Sequence, residues 1–69
     1  MDQIEMENRF MYHAPKGDQA ERYQSLRSMT KLLAGLFESM CPEGREKALA
    51  FTKLEEAIMW ANAAIARRE

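Results

Sequence analysis

Arg27 and Lys31 stand one helical turn apart, and the positions three or four residues from them, Tyr23, Gln24, Ser28, Thr30, Ala34 and Gly35, include no acid. Two cations without a local counter-ion suit a phosphate, the arginine as a planar fork and the lysine as a point charge. Small side chains at Ser28, Ala34 and Gly35 let a flat or bulky ligand approach the helix backbone. The stretch FMYHAPKGDQ adds Tyr12 to stack on a base, with His13 and Lys16 to hydrogen-bond phosphate. Each feature also has a plainer reading. The basic pair is then a solvated face, Tyr12 and His13 pin the loop, and Arg67 and Arg68 complement the macrodipole in the last turn of a helix. In an oligomer one of those arginines reaches a neighbour's loop.

Other chemistry is poorly provided for. His13 is the only histidine and Cys41 the only cysteine, so no paired metal-ligand spacing exists. No Gly-rich phosphate loop, HExxH pair or GxSxG elbow is present. Glu55 and Glu56 are adjacent and point about 100° apart on a helix, which does not make an acid and base pair across a substrate. A non-catalytic protein without cofactor or metal is the expectation. A lone thiol fits a reducing compartment. The acidic, amphipathic start MDQIEMENRF does not read as a signal peptide, and no apolar run reaches the roughly 18 residues of a membrane span. The expected protein is soluble and cytoplasmic, with no membrane partner. Net charge is −1, which disfavours a general electrostatic grip on DNA. The basic surplus lies in residues 12–35, where Lys16, Arg22, Arg27 and Lys31 outnumber Asp18 and Glu21.

Three helices are needed to position these residues. The first covers about residues 2–10 and is too short to hold alone. A loop over residues 11–18 follows, with Pro15 and Gly17 as breakers. Asp18 is the expected N-cap of the second helix, about residues 19–40, with Glu21 completing a capping box. Tyr23, Leu26, Thr30, Leu33, Phe37 and Met40 give that helix one apolar seam. CPEG, residues 41–44, breaks the pattern, with Pro42 suited to the first turn of a third helix that starts at Pro42 or Glu43 and ends at Arg68. The short connection forces antiparallel packing, so the fold is all-α: a short helix followed by a long helical hairpin.

The third helix carries more apolar surface than a hairpin covers. Phe51, Leu54, Ile58, Ala61 and Ile65 face the second helix. Ala57, Trp60, Ala63 and Ala64, with Met59 beside them, form a second stripe, and Met29, Leu32 and Leu36 form another on the second helix. A chain of 69 residues is near the lower limit for a self-sufficient core. Self-association through Met29, Leu36, Ala57, Trp60 and Ala64 is the expected remedy, with Trp60 as anchor. The alternative is that the N-terminal helix covers Trp60 within one chain.

Three blocks, RFMYHAPKGDQ, ERYQSLR and REKALAFTKLEEAIMWANAAIAR, resemble the small phage proteins of the anti-CBASS and anti-Thoeris sponge families, which share a helical hairpin domain. The resemblance spans Arg9 to Arg67. It implies a protein without catalytic activity, in the cytoplasm of an infected bacterial host, that captures cyclic nucleotide immune signals and keeps effectors from being activated. It further implies an interlocked homo-oligomer, commonly a hexamer, with pockets between protomers. The implied ligands are cyclic dinucleotides, cyclic trinucleotides or cyclised ADP-ribose derivatives. Tyr23, Leu26 and Arg27 match the family's pattern on the second helix, which makes Arg27 the phosphate ligand, and Tyr12 matches the stacking residue. His13, Lys16, Lys31, Thr52 and Arg67 are added to the candidate set on their local chemistry and their places in the blocks, not on a matched family pattern. The chain lacks the β-rich extension of some anti-Thoeris members, which weighs against an ADP-ribose ligand.

Two other classes of function compete. A helical hairpin that binds a protein partner through the Trp60 stripe predicts a monomer or dimer. Nucleic-acid binding through Arg27, Lys31 and the loop predicts affinity that falls steeply with salt.

Overall fold

The computed structural model describes Met1–Glu69 and contains three helices and no strand: α1 (Gln3–Phe10), α2 (Gln19–Met40) and α3 (Arg45–Arg68). Asp2 caps α1, its carboxylate accepting from the Glu5 N–H at 2.8 Å, and Arg9 closes an ion pair on Glu5 at 3.0 Å one turn away. Those are local bonds. Ile4 and Phe10 remain exposed, so nothing in the chain covers the apolar side of α1.

The start of α2 differs from the capping box expected there. Asp18 lies at φ −90°, ψ 10°, outside the extended region that folds a cap carboxylate back onto the helix N–H groups. Its carboxylate instead pairs with Arg22 Nε at 3.1 Å. Gly17, at φ 57°, makes the turn before it, a left-handed conformation that an L side chain seldom adopts.

The third helix also starts later than expected, at Arg45 after Gly44. Cys41, preceding Pro42, is extended at φ −104°, ψ 134°, as the proline ring demands, so residues 42–44 serve as turn and not as a first helical turn. That turn is fastened by Lys47. The residue is only 7% exposed, and its ammonium donates to the Glu38 carbonyl at 3.1 Å and meets the Glu43 carboxylate at 2.6 Å. The last turn of α2 has no basic residue of its own, so α3 supplies the cation that its free carbonyls favour. The bond to the Glu43 carboxylate, and after it the Glu38 carboxylate at 3.4 Å, holds the Lys47 pKa above its ordinary value.

Between these ends the helices meet along Tyr23, Leu26, Thr30, Ala34 and Phe37 of α2, and Phe51, Leu54, Ile58, Ala61 and Ile65 of α3, all half-buried. Phe37 and Phe51 pack edge to face, with centroids 5.9 Å apart. Leu33 and Met40, placed in the seam by their spacing, are exposed. The contact line follows the true helical period from Thr30 to Ala34, and Met40 lies beyond the last crossing.

No apolar side chain is fully buried; the only buried residues are Gln19 and Lys47, one near each end of the hairpin. The molecule measures 46 × 29 × 13 Å. Its smallest dimension is about one helix diameter, so the hairpin is a single layer with two open faces. Met29, Leu32 and Leu36 lie exposed on α2, and Met59 and Trp60 on α3. Trp60 is 62% exposed, so α1 does not cover it. A single layer leaves those apolar residues open to solvent, with no second layer within the chain to cover them. No helix is long and apolar enough to cross a membrane.

Candidate functional site

The loop after α1 folds across the open end of the hairpin and, with the facing sides of α2 and α3, borders an open groove of about 490 Å³. Small-ligand pockets commonly have volumes in this range. Tyr23 and Arg27, one turn apart, present one wall from α2. Asn62, Ala63, Ala66 and Arg67, spaced for one face of α3, form the other, while Arg9, Tyr12 and His13 close it from the N-terminal side. Three guanidiniums and two phenol rings therefore share a groove that no carboxylate lines.

These side chains are held to different degrees. Arg27 donates to Gln24 Oε1 at 2.9 Å and has no acidic partner, so its charge is available to an anion. Arg9 is shared with Glu5. Tyr12 is 85% exposed, and its position is set by the loop backbone, not by packing. His13 Nε2 lies 2.7 Å from the Asn8 carbonyl, an acceptor, so that nitrogen carries the proton and a neutral ring offers Nδ1 as its acceptor. Asn62 is the only polar residue of the run Ala57–Ala66, and its Oδ1 is buried without a hydrogen-bond partner. Such an orphan costs about 1–3 kcal/mol, a penalty that natural structures keep for a reason.

Of the residues singled out in the sequence, the groove gathers Tyr12, His13, Arg27 and Arg67. Lys16 lies outside it, its ammonium donating to the Glu69 carbonyl at 2.9 Å beside an adjoining cavity. Lys31 is exposed one turn beyond Arg27 and does not line the groove. Thr52 lines a separate hollow with Thr30, Phe51 and Glu55, and its hydroxyl donates to the Ala48 carbonyl at 3.1 Å. Spacing alone missed Arg9, Asn62 and the groove-facing ring of Tyr23. The signal for Asn62 was its isolation in an apolar run.

Sequence reading also missed a latch behind the groove. The Glu69 carboxylate accepts from Arg22 Nη1 at 2.7 Å, from Arg22 Nη2, and from Gln19 Nε2 at 3.0 Å. The guanidinium, and after it the Gln19 amide, holds the Glu69 pKa down to about 2, while Arg22 itself is raised. Arg67 stands between the groove and a smaller hollow of about 210 Å³ beside Trp60. No group of three His, Cys, Asp or Glu side chains is placed to hold a metal ion.

The chain is thus a one-layer helical hairpin that carries a basic, aromatic groove at one end. The family model for the Acb2/Tad1 hairpin domain matches residues 2–66, and the chain belongs to that family, the anti-CBASS and anti-Thoeris sponges. The family is one of sponge-type binding proteins, and membership points to a phage anti-defence role directed at cyclic nucleotides. Comparison with curated proteins and with solved structures finds no match.

Proposed function

We propose that this protein binds and sequesters cyclic di- or trinucleotide immune signals, unchanged, in the cytoplasm of an infected bacterial host. The observation that carries this reading is the convergence of Arg9, Arg27 and Arg67 with Tyr12 and Tyr23 on one groove free of carboxylates. A cyclic oligonucleotide combines closely spaced phosphates with flat bases. Arginine forks suit the former and phenol rings the latter. Arg27 is the principal phosphate ligand and Tyr12 the principal stacking residue, with His13 and Arg67 beside them. Lys16, Lys31 and Thr52 serve from the edges of the site or on a neighbouring copy.

Sequestration is stoichiometric. It requires tight binding and protein in excess of signal, and a ligand buried on more than one side. The groove is open in one chain, and the single-layer fold leaves Met29, Leu36, Ala57, Trp60 and Ala64 free to pack on further copies. A homo-oligomer, a hexamer by resemblance to the family, supplies both the missing core and the missing wall.

The exposure of Trp60 beside Met59 also fits a hairpin that binds a different protein. One experiment separates the readings: calorimetric titration with cyclic dinucleotides, cyclic trinucleotides and cyclic ADP-ribose isomers, with solution mass by light scattering. Submicromolar binding to one class by an oligomer, with only a shallow salt dependence, is expected. A monomer or dimer that binds none of them favours the protein-partner hairpin, and steeply salt-dependent binding to long polynucleotides favours a nucleic-acid binder.

A further inference from the structure

Gln19 is the least exposed residue of the chain, at 4%, although its side chain is a full amide. Its Oε1 accepts from the Lys16 backbone N–H at 3.1 Å, and its Nε2 donates to Glu69 Oε1 at 3.0 Å and toward the Ile65 carbonyl at 3.5 Å. One side chain thus ties the end of the loop to the last turn of α3 from the first residue of α2. Lys16 adds a second tie through its ammonium on the Glu69 carbonyl. Only an amide of this length offers a donor and an acceptor at once. A glutamate here would set a second carboxylate against Glu69, and an apolar isostere would leave the Lys16 N–H without its partner.

The latch and the groove share walls. His13 and Arg67 line both the groove and the cavity beside Gln19. Tyr12 has no packing of its own to hold it, and the His13 bond to Asn8 stays within the N-terminal segment. The ties at Lys16 therefore set where the loop stands relative to Arg27 and Arg67.

We infer that Gln19 is a positioning residue for the groove: without contacting ligand, its amide fixes the loop so that Tyr12 and His13 face Arg27 and Arg67. This rests on the proposed cyclic-nucleotide reading of that groove. The test is Gln19→Met, titrated with cyclic di-AMP, cyclic di-GMP and cyclic tri-AMP, with helicity and solution mass as fold controls. Affinity is expected to fall about tenfold, the scale of one or two hydrogen bonds. A loss transmitted through the loop disappears when Tyr12 is already gone, so in a Tyr12→Ala background the change is expected to cost less than about twofold. In an Arg27→Ala background, where the removed group sits on a helix, the tenfold loss should persist. Unchanged affinity in Gln19→Met, or an equal loss in the Tyr12→Ala background, overturns the assignment.

Ligand-free nuclear Overhauser contacts between the His13 ring and Arg67 give an independent readout. If the wild type binds none of the three nucleotides, the cyclic-nucleotide reading fails, and these contacts decide the positioning role alone. They are expected to be lost in Gln19→Met, and their retention overturns the role. If Gln19→Met does not fold, Lys16→Met breaks the second tie from the loop side, with an expected loss of about threefold. Unchanged affinity and contacts in that variant overturn the inference equally.

Discussion

Replacing Trp60 by alanine tests whether the missing layer of the fold is another copy of the chain. A tryptophan has about 250 Å² to bury, and at 62% exposure roughly 150 Å² of this ring faces solvent in the single chain. At about 25 cal/mol per Å², covering that area is worth about 4 kcal/mol, of which alanine retains a small part. Trp60→Ala is therefore expected to weaken self-association by about 3 kcal/mol per copy, or roughly a hundredfold in each interface constant. Sedimentation and light scattering over a dilution series read this directly, as dissociation shifted to higher protein concentration. Because a single hairpin buries no apolar side chain completely, the melting temperature of the variant should also become more dependent on concentration. An unchanged mass at every dilution, with an unchanged melt, would refute the argument that this surface is covered by another copy.

Arg27→Ala removes a guanidinium bound within the chain only to Gln24. One charge-assisted bond to phosphate is worth about 1.5–3 kcal/mol, so calorimetry should show more than tenfold weaker cyclic-nucleotide binding while light scattering finds the same oligomer; equal affinity makes Arg27 a surface residue. Asn62→Leu removes the orphaned Oδ1 and should raise stability by about 1 kcal/mol in denaturant melts, while affinity falls if the amide reads the ligand. A lower stability would mean that the amide already has a partner in the assembled protein. The Glu69 pKa, lowered to about 2 from 4.5, contributes stability that is fully present above pH 4.5 and lost as the pH falls toward 2, because the unfolded chain binds the proton first. Wild type should therefore melt above Glu69→Gln at pH 7 and converge with it near pH 2. A gap independent of pH would show that the carboxylate's charge is not what the latch uses.

The helices themselves were legible because two long apolar periods are separated by CPEG, and the loop because Pro15 and Gly17 interrupt it. Their ends were less so. The backbone at Asp18 settled on pairing with Arg22, and the extended conformation at Cys41 carried the turn through to Gly44, neither of which a capping pattern reveals. The seam drifted from Leu33 to Ala34 because spacings of three and four were alternated where the true period required two successive steps of four. Arg27 was legible from the lack of acids one turn away. The groove, however, is made where residues 9–13, 23–27 and 62–67 meet; Arg9 carried no signal for it, and the isolation of Asn62 in an apolar run did not say what it would face. The Gln19, Arg22 and Glu69 latch was hidden for the same reason: Glu69 lies 50 and 47 residues from its two partners, and two of the three groups look like ordinary surface charge.

The most direct test of sequestration is to mix cyclic tri-AMP or cyclic di-GMP with increasing protein, filter, and measure the free nucleotide by chromatography before and after digesting the protein. The account predicts that free ligand falls in fixed proportion to added protein and returns intact on digestion. Ligand that stays free at every ratio, or that returns cleaved, would contradict it.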